Sequence, residues 1–168
     1  MRIAIGTDHR GAESASVLLP YLRAKGHDVV LLGGCDGNAC DYPDNAYKVG
    51  VAVASGDFDR GILVCGSGIG MSIAANKVDG VRAALVQDEL TAELSRSHND
   101  ANILCLSGDL IGQMLAKRIV DTWLATPFEG GRHARRVQKI RAIERGEDPS
   151  TLRPEPAPAS ELRGRTAV

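Results

Sequence analysis

The sequence predicts a doubly wound α/β fold, with helices on both faces of a five-stranded parallel sheet and a helical C-terminal extension. Short apolar runs, each closed by Gly, Asp or Ser, alternate with segments whose apolar residues recur about every 3.6 positions. The apolar runs are nearly continuous, which is typical of parallel strands buried on both faces. Because strand-like and helix-like segments alternate, a parallel sheet with crossover helices is favoured.

The predicted strands are short and mostly apolar, and they comprise residues 2–6, 28–32, 61–65, 82–86 and 102–106. The helices between them comprise residues 12–25, 45–55, 70–76 and 88–97, and the extension comprises helices 108–124 and 132–145. In a Rossmann-like or flavodoxin-like sheet, ligands bind beyond the carboxyl ends of the strands, beside the point where the strand order reverses. The residues that follow each strand are therefore the first candidates for a site.

Composition is that of an ordinary globular domain. The 168 residues are enough for one domain with a single core, and 43% of them are hydrophobic and 24% charged. The net charge of -1 gives no reason to expect binding to nucleic acid or to a membrane surface. No apolar run approaches the ~18 residues of a membrane span, and no leader pattern precedes the first strand. We therefore expect a cytoplasmic protein.

Cysteine usage fits that expectation. The four cysteines lack zinc-ligand spacing, so we expect free thiols; they are Cys35, Cys40, Cys65 and Cys105. The predicted domain comprises residues 1–147. Residues 148–168 contain four of the seven prolines and no apolar periodicity, which predicts a flexible tail or an arm lying on a neighbouring subunit.

Strand one is followed by Asp8 and His9. One interpretation is that Asp8 caps the next helix and that His9 is merely exposed at its start. In the other, the carboxylate and the imidazole project into the crevice, where they bind hydroxyl groups or move protons. We favour the second interpretation.

Strand three is followed by a glycine-rich turn that opens a helix. Alternate glycines let the backbone turn tightly and expose its N–H groups to negative charge; they are Gly66, Gly68 and Gly70. A dinucleotide site is an alternative, supported by Asp88 after the next strand. The turn follows the third strand, however, and Met71 occupies the place where the full dinucleotide motif needs glycine. The nucleotide interpretation is therefore the weaker one.

Cys65 stands immediately before this turn. A cysteine that ends a buried strand is usually inert packing. Beside a cationic nest, however, its thiolate is favoured, and a thiolate can remove a proton as well as attack carbon. Ser67 can offer a hydroxyl group to developing oxyanion charge.

Two later segments add acid–base and cationic groups. His98 lies in a polar connection before strand five, where an acid–base role is one interpretation and an ordinary exposed histidine the other. Arg132 and Arg136 are four residues apart on a predicted helix and share a face. A solvated basic face is the default for such a run, but two guanidinium groups on one face also suit a small phosphate.

Five motifs in order carry a resemblance that covers about residues 2–146. IAIGTDHRG, DYPDNA, CGSGIGMSIAANK, SRSHNDANIL and FEGGRHARRV resemble the type B ribose-5-phosphate isomerases and the related galactose-6-phosphate isomerase subunits. The resemblance implies interconversion of an aldose phosphate and its ketose, without a metal or organic cofactor. It also implies homodimers with shared active sites, sometimes paired into tetramers.

The resemblance implies a role for each matching position. Cys65 resembles the base that moves the proton between C1 and C2, and Ser67 with the backbone amides of residues 66–70 lies beside the enediolate. His98 resembles the group that opens the sugar ring. The remaining positions resemble substrate-binding residues, in which Asp8 and Asn99 contact hydroxyl groups, Tyr42 lines the pocket, and the phosphate is held by His9, Arg132 and Arg136.

Asp109 departs from the family pattern, because many members have arginine there as a further phosphate contact. We expect Asp109 either to point away, paired with Arg132 or Arg136, or to mark a different ligand. Such a ligand would be a four-carbon sugar phosphate or an unphosphorylated sugar. Two other functions compete. One is an inactive or half-active subunit of a two-subunit galactose-6-phosphate isomerase, although the intact Cys65 and His98 disfavour a purely supporting role. The other is a nucleotide-binding regulatory module.

Overall fold

The chain folds around a five-stranded, all-parallel sheet in the order β2-β1-β3-β5-β4. The computed structural model describes residues 1–35 and 37–153. The strands are β1 (Arg2–Thr7), β2 (Asp28–Gly33), β3 (Arg60–Cys65), β4 (Ala83–Leu85) and β5 (Ile103–Ser107). The helices are α1 (Ala12–Ala24), α2 (Tyr42–Ala54), α3 (Ile69–Ala75), α4 (Glu89–Ser97), α5 (Gln113–Ala125) and α6 (Gly131–Glu144). The predicted doubly wound fold is confirmed.

Two helix starts differ from the sequence prediction by more than one residue. α2 begins at Tyr42 rather than at residue 45, because Pro43 fits the first turn of a helix, where its missing N–H leaves nothing unpaired. α5 begins only at Gln113, whereas a start at residue 108 was predicted. The hydroxyl group of Ser107 accepts the backbone N–H of Leu110 at 2.9 Å, which holds the intervening residues in a turn.

The strands divide their side chains between two cores. In β3, Ile62 and Val64 pack under α1, α4 and α5, together with the buried Trp123. Leu63 and Cys65 face the opposite side, under α2 and α3. The alternation follows from the two-residue period of a strand. It places the Cys65 side chain on the α2–α3 side of the sheet.

β3 is the central strand, and the order reverses between β1 and β3, so the crevice of a doubly wound fold lies at their carboxyl ends. β5 lies between β3 and β4. The crossover from β3 to β4 therefore leaves room for one strand, and the crossover from β4 brings β5 back into that place. β5 therefore pairs directly with β3, with Gly61 opposite Ile103 and Cys65 opposite Ser107.

Free thiols were predicted for all four cysteines, and for two of them this is wrong. Cys35 and Cys40 form a disulfide between the end of β2 and the start of α2, where the chain brings their Cα atoms to 5.7 Å. Cys65 and Cys105 are free and buried, as expected.

The described part of the predicted tail contains a short 3₁₀ turn, Pro149–Thr151, in which Asp148 accepts the backbone N–H of Ser150. The rest of the predicted tail, residues 154–168, lies outside the described residues. Within the part of the chain that is described, no helix combines the length and apolar character needed to cross a bilayer.

Candidate active site

Cys65 ends the central strand with its side chain almost entirely buried, at 4% exposure. The backbone N–H of Gly68 donates to Cys65 Sγ at 3.1 Å, so a donor lies beside any negative charge on sulfur. Gly68 adopts φ +76°, and a Cβ atom there would lie 2.9 Å from the carbonyl oxygen of Leu106. Glycine is therefore required for the turn that brings this N–H group to the sulfur.

Ser67 lies in the same turn, half-buried, and its Oγ accepts the backbone N–H of Ile69 at 3.3 Å. The turn therefore satisfies two of its own amides, one through the Cys65 sulfur and one through the Ser67 hydroxyl group. The hydroxyl proton of Ser67 has no acceptor among the described residues. It can be donated to a ligand oxygen.

Tyr42 forms a wall of the glycine turn. A Cβ atom at Gly70 would lie 2.5 Å from the Tyr42 ring, so the ring packs directly over the backbone of Gly70. Asn45, in the same helix, donates through Nδ2 to the carbonyl oxygen of Thr7 at 2.7 Å. These contacts connect the start of α2 to the end of β1 and to the glycine turn that follows β3.

Asp8 and His9 follow β1 beside this turn. Asp8 is 6% exposed, and its Oδ1 accepts the backbone N–H groups of Arg10 at 2.9 Å and Gly11 at 3.0 Å. One carboxylate oxygen thus holds the turn that leads into α1, whose N-cap residue is Gly11, so Asp8 is not itself the N-cap. Its Oδ2 accepts nothing from the described residues and remains available to a ligand hydroxyl group. His9 is exposed.

Asp109 pairs with Arg10, so the expected pairing with Arg132 or Arg136 is wrong. Arg10 Nε donates to Asp109 Oδ2 at 2.7 Å. This hydrogen bond, followed by the charge of Asp109, raises the pKa of Arg10. The pair forms because Arg10 follows β1 and Asp109 follows β5, the two strands that flank β3.

Sequence reasoning did not select Arg10 as a site residue. The sequence shows only that Arg10 and Asp109 carry opposite charges and that each follows a predicted strand. To predict their pairing, one must know that these two strands flank β3, and that strand order is not encoded in the neighbouring residues.

His98 lies at the other edge of the sheet. It caps the C-terminus of α4, and the chain then enters β5 at Ile103, at the amino ends of the strands. Cys65 lies at the carboxyl end, four residues farther along the β3–β5 register. Four residues of strand span about 13 Å, so one chain does not bring His98 and Cys65 together.

The turn that carries His98 is held by charge. Asp100 adopts φ 47°, which is uncommon outside glycine but tolerated by Asp. Its carboxylate accepts from Arg96 and from Arg82, each at 2.8 Å. Arg96 is only 5% exposed at its side chain, so Asp100 also supplies the counter-charge of a buried guanidinium group.

The imidazole rings of His98 and His133 are stacked, with centroids 4.0 Å apart and planes within 6°. Arg132 Nε donates to His133 Nε2 at 3.1 Å, which places the proton of a neutral His133 on Nδ1. The pKa of His133 is lowered mainly by burial and further by the charges of His98 and Arg132, while the charge of Glu129 opposes this shift. His133 and Glu129 were not selected from the sequence, although His133 lies within the FEGGRHARRV motif.

Ligand atoms of His98, Glu129 and His133 lie within 4.8 Å of one another, which is close enough to consider a metal ion. The stacked rings direct their in-plane lone pairs along parallel planes rather than toward one point. Arg132 already donates to His133 Nε2 and brings positive charge. The cluster therefore suits proton transfer and anion binding better than cation binding.

The remaining predicted residues belong to this second group. Asn99 is exposed beside His98, and its carbonyl oxygen accepts Arg82 Nε at 3.1 Å. Arg132 and Arg136 are exposed one turn apart on α6. The candidate site thus forms two groups. The carboxyl-edge group contains Asp8, His9, Tyr42, Cys65, Gly66, Ser67, Gly68, Gly70 and Asp109. The amino-edge group contains His98 and Asn99, with Arg132 and Arg136 on α6.

Comparison with known proteins gives consistent matches. The family model described as Ribose/Galactose Isomerase matches residues 3–140. Ribose-5-phosphate isomerase B of Escherichia coli (strain K12) is 46% identical over 143 residues, which cover 85% of this chain and 96% of that protein.

Solved structures agree. The ribose-5-phosphate isomerase B of Clostridium thermocellum has a TM-score of 0.85 and 49% identity, covering 87% of this chain and 99% of that one. The ribose-5-phosphate isomerase B of Mycoplasma genitalium, solved with bound ribulose-5-phosphate, has a TM-score of 0.79 and 43% identity, covering 86% and 96%.

Proposed function

Because the chain belongs to the Ribose/Galactose Isomerase family, we propose that it interconverts ribose 5-phosphate and ribulose 5-phosphate through a cis-enediolate. It is an aldose–ketose isomerase of the sugar-phosphate class. Its relatives named ribose-5-phosphate isomerase B, one of them solved with ribulose-5-phosphate bound, support the five-carbon substrate. The observation that carries the proposal is the buried Cys65 sulfur, held by the Gly68 amide at the carboxyl end of the central strand.

In this reaction the Cys65 thiolate removes the proton from C2 of the open-chain aldose and returns it to C1. The electron pair of the broken C–H bond forms the C1–C2 double bond, and negative charge moves onto the carbonyl oxygen. Ser67 lies in the turn beside the base, and its free hydroxyl proton stabilises the charge on that substrate oxygen. Return of the proton to C1 and transfer of the O2 proton to O1 complete the ketose.

Ribose 5-phosphate is mostly cyclic, so a second acid–base group must open the ring. We assign this step to His98, with Asn99 and the free Oδ2 of Asp8 binding sugar hydroxyl groups. His9, Arg132 and Arg136 hold the phosphate, and Tyr42 closes the side of the pocket. Because His98 and Cys65 lie at opposite edges of one sheet, this assignment needs a second copy of the chain.

A homodimer in which each site takes Cys65 from one subunit and His98 from its partner satisfies that requirement. Exposed apolar side chains on the adjacent helices α2 and α3 support it, namely Tyr47 at 62%, Val51 at 41%, Ile69 at 51% and Ile73 at 59%. These residues lie on the layer that covers Cys65. Burying them against another copy would bring a partner to the glycine turn.

The pairing of Asp109 with Arg10 weakens the argument for an unphosphorylated or four-carbon substrate. That argument depended on an unbalanced carboxylate facing the phosphate. Paired at 2.7 Å, the two side chains carry no net charge.

Turnover of four-, five- and six-carbon aldose phosphates, with ribose as the unphosphorylated control, tests the proposal. We expect ribose 5-phosphate to have the highest kcat/KM. A four-carbon aldose 4-phosphate cannot form a furanose, because phosphate occupies the hydroxyl group that would close the ring. His98→Asn should therefore slow ribose 5-phosphate much more than the four-carbon compound. A higher kcat/KM for any other sugar would reject the proposed substrate, and equal slowing of both would reject the role of His98.

A further inference from the structure

Arg10 and Asp109 meet directly over the first residue of the glycine turn. A Cβ atom at Gly66 would lie 2.8 Å from Asp109 Oδ2 and 3.2 Å from Arg10 Cδ and Nε. The backbone N–H of Asp109 also donates to the carbonyl oxygen of Gly66 at 3.1 Å. The ion pair is therefore packed against the residue that follows the proposed base, Cys65, and is part of the site.

The pair occupies only one side of the guanidinium group. Arg10 Nε donates to Asp109, whereas Nη1 and Nη2 have no acceptor within hydrogen-bond distance among residues 1–35 and 37–153. The side chain of Arg10 is 57% exposed, so these two nitrogens are accessible. A guanidinium group held at Nε can still donate two parallel hydrogen bonds to an oxyanion, the geometry that phosphate accepts best.

We propose that Arg10 is a phosphate-binding residue of this enzyme and that Asp109 is its positioning residue. The inference rests on the proposed function, since it adds a further cation to the groups that hold the phosphate of the same substrate. Asp109 restricts the rotamers of a long side chain that would otherwise have to be ordered when the ligand binds. On this inference the carboxylate assists phosphate binding, although its charge by itself would oppose it.

The opposite possibilities are that the pair is an ordinary surface salt bridge, or that Asp109 mainly repels phosphate. Arg118 and Glu89 provide a matched control. Arg118 Nε donates to Glu89 Oε1 at 2.6 Å, and the two side chains are 58% and 39% exposed, against 57% and 37% for Arg10 and Asp109. This control pair joins α5 to α4 and does not contact Gly66.

The test compares Arg10→Met, Asp109→Asn, the double variant and Arg118→Met. For ribose 5-phosphate we expect Arg10→Met to raise KM about tenfold or more while kcat changes by only a few-fold, which is the signature of lost binding. Asp109→Asn should raise KM by about threefold and have no further effect when Arg10 is already Met, because the two residues act as a unit. Arg118→Met should leave both constants unchanged.

Inorganic phosphate is the second probe, because its binding does not depend on turnover. Its thermal stabilisation of the protein should be reduced by Arg10→Met and by Asp109→Asn, but not by Arg118→Met. If no sugar phosphate is turned over and phosphate stabilisation still depends on Arg10, the proposed function fails and the assignment of Arg10 as an anion-binding residue survives. Unchanged phosphate stabilisation and KM in Arg10→Met, or tighter phosphate binding in Asp109→Asn, would overturn the inference.

Discussion

Cys65 ends β3 opposite Ser107 of β5, whereas His98 precedes the amino end of β5, so the two residues lie at opposite edges of one sheet. A site that uses both must be assembled from two chains. Two inactive variants, Cys65→Ala and His98→Ala, should therefore complement each other when they are unfolded and refolded together. Half of the dimers in a random mixture are mixed, and each mixed dimer holds one intact site, so about a quarter of wild-type turnover should return.

The variants refolded separately are the control for this experiment. No recovery in the mixture, despite mixed dimers detected with a mass tag on one chain, would show that Cys65 and His98 do not act in one shared site.

The two buried free thiols provide a matched pair for testing the base. Cys65→Ala should reduce kcat by about 10²-fold or more, because general-base catalysis typically contributes that much, while ribose 5-phosphate should still stabilise the protein thermally. Burial raises the pKa of Cys105, which keeps that thiol protonated, so Cys105→Ala should retain turnover. Similar losses in both variants would point to core packing rather than to proton transfer by Cys65.

Stability should fall on acidification because of His133. Burial lowers its pKa in the folded protein, so below pH ~6.5 the unfolded chain binds this proton more readily than the folded one. The stabilisation is complete above that pH and is lost as the pH falls toward the lowered value. His133→Phe keeps an aromatic ring against His98 without a titrating group, so its Tm should decrease less between pH 8 and pH 5.5. An identical decrease would assign the effect to other groups.

Asp100 should be a stability determinant of the turn that carries His98. Asp100→Asn preserves tolerance of the positive φ but removes the counter-charge of the buried Arg96, and we expect a loss of about 1–3 kcal/mol in the free energy of unfolding. Asp28→Asn is the control, because its pair with Arg2 is 3.7 Å long and exposed, and such pairs contribute about 0–1 kcal/mol. Urea denaturation measures both, and equal losses would contradict the assignment.

The sequence by itself determined the features that depend on neighbouring residues in the chain. Within the described residues, periodicity located the five strands and the six helices, and the residues at or just after the strand ends included Asp8, Cys65 and Ser67. The start of α5 was misplaced because the hydrogen bond from Leu110 to Ser107 depends on side-chain geometry rather than on hydrophobic pattern. The disulfide was missed because Cys35 and Cys40 are five positions apart, a separation that can place them together or apart, and only the path from β2 to α2 decides which.

Only the tertiary structure decided which distant residues meet. Arg10 and Asp109 lie 99 positions apart in the sequence, and their side chains touch because β1 and β5 lie on either side of β3. His98 precedes β5 whereas Cys65 ends β3, so the shared direction of these two parallel strands puts the residues at opposite edges of the sheet, although both belong to motifs of one predicted site. Local patterns specify strands and helices through short-range sterics and burial. The order of strands in a sheet is selected by how complete helical layers pack against it, and this is why the sequence predicted the groups of the site but not their arrangement.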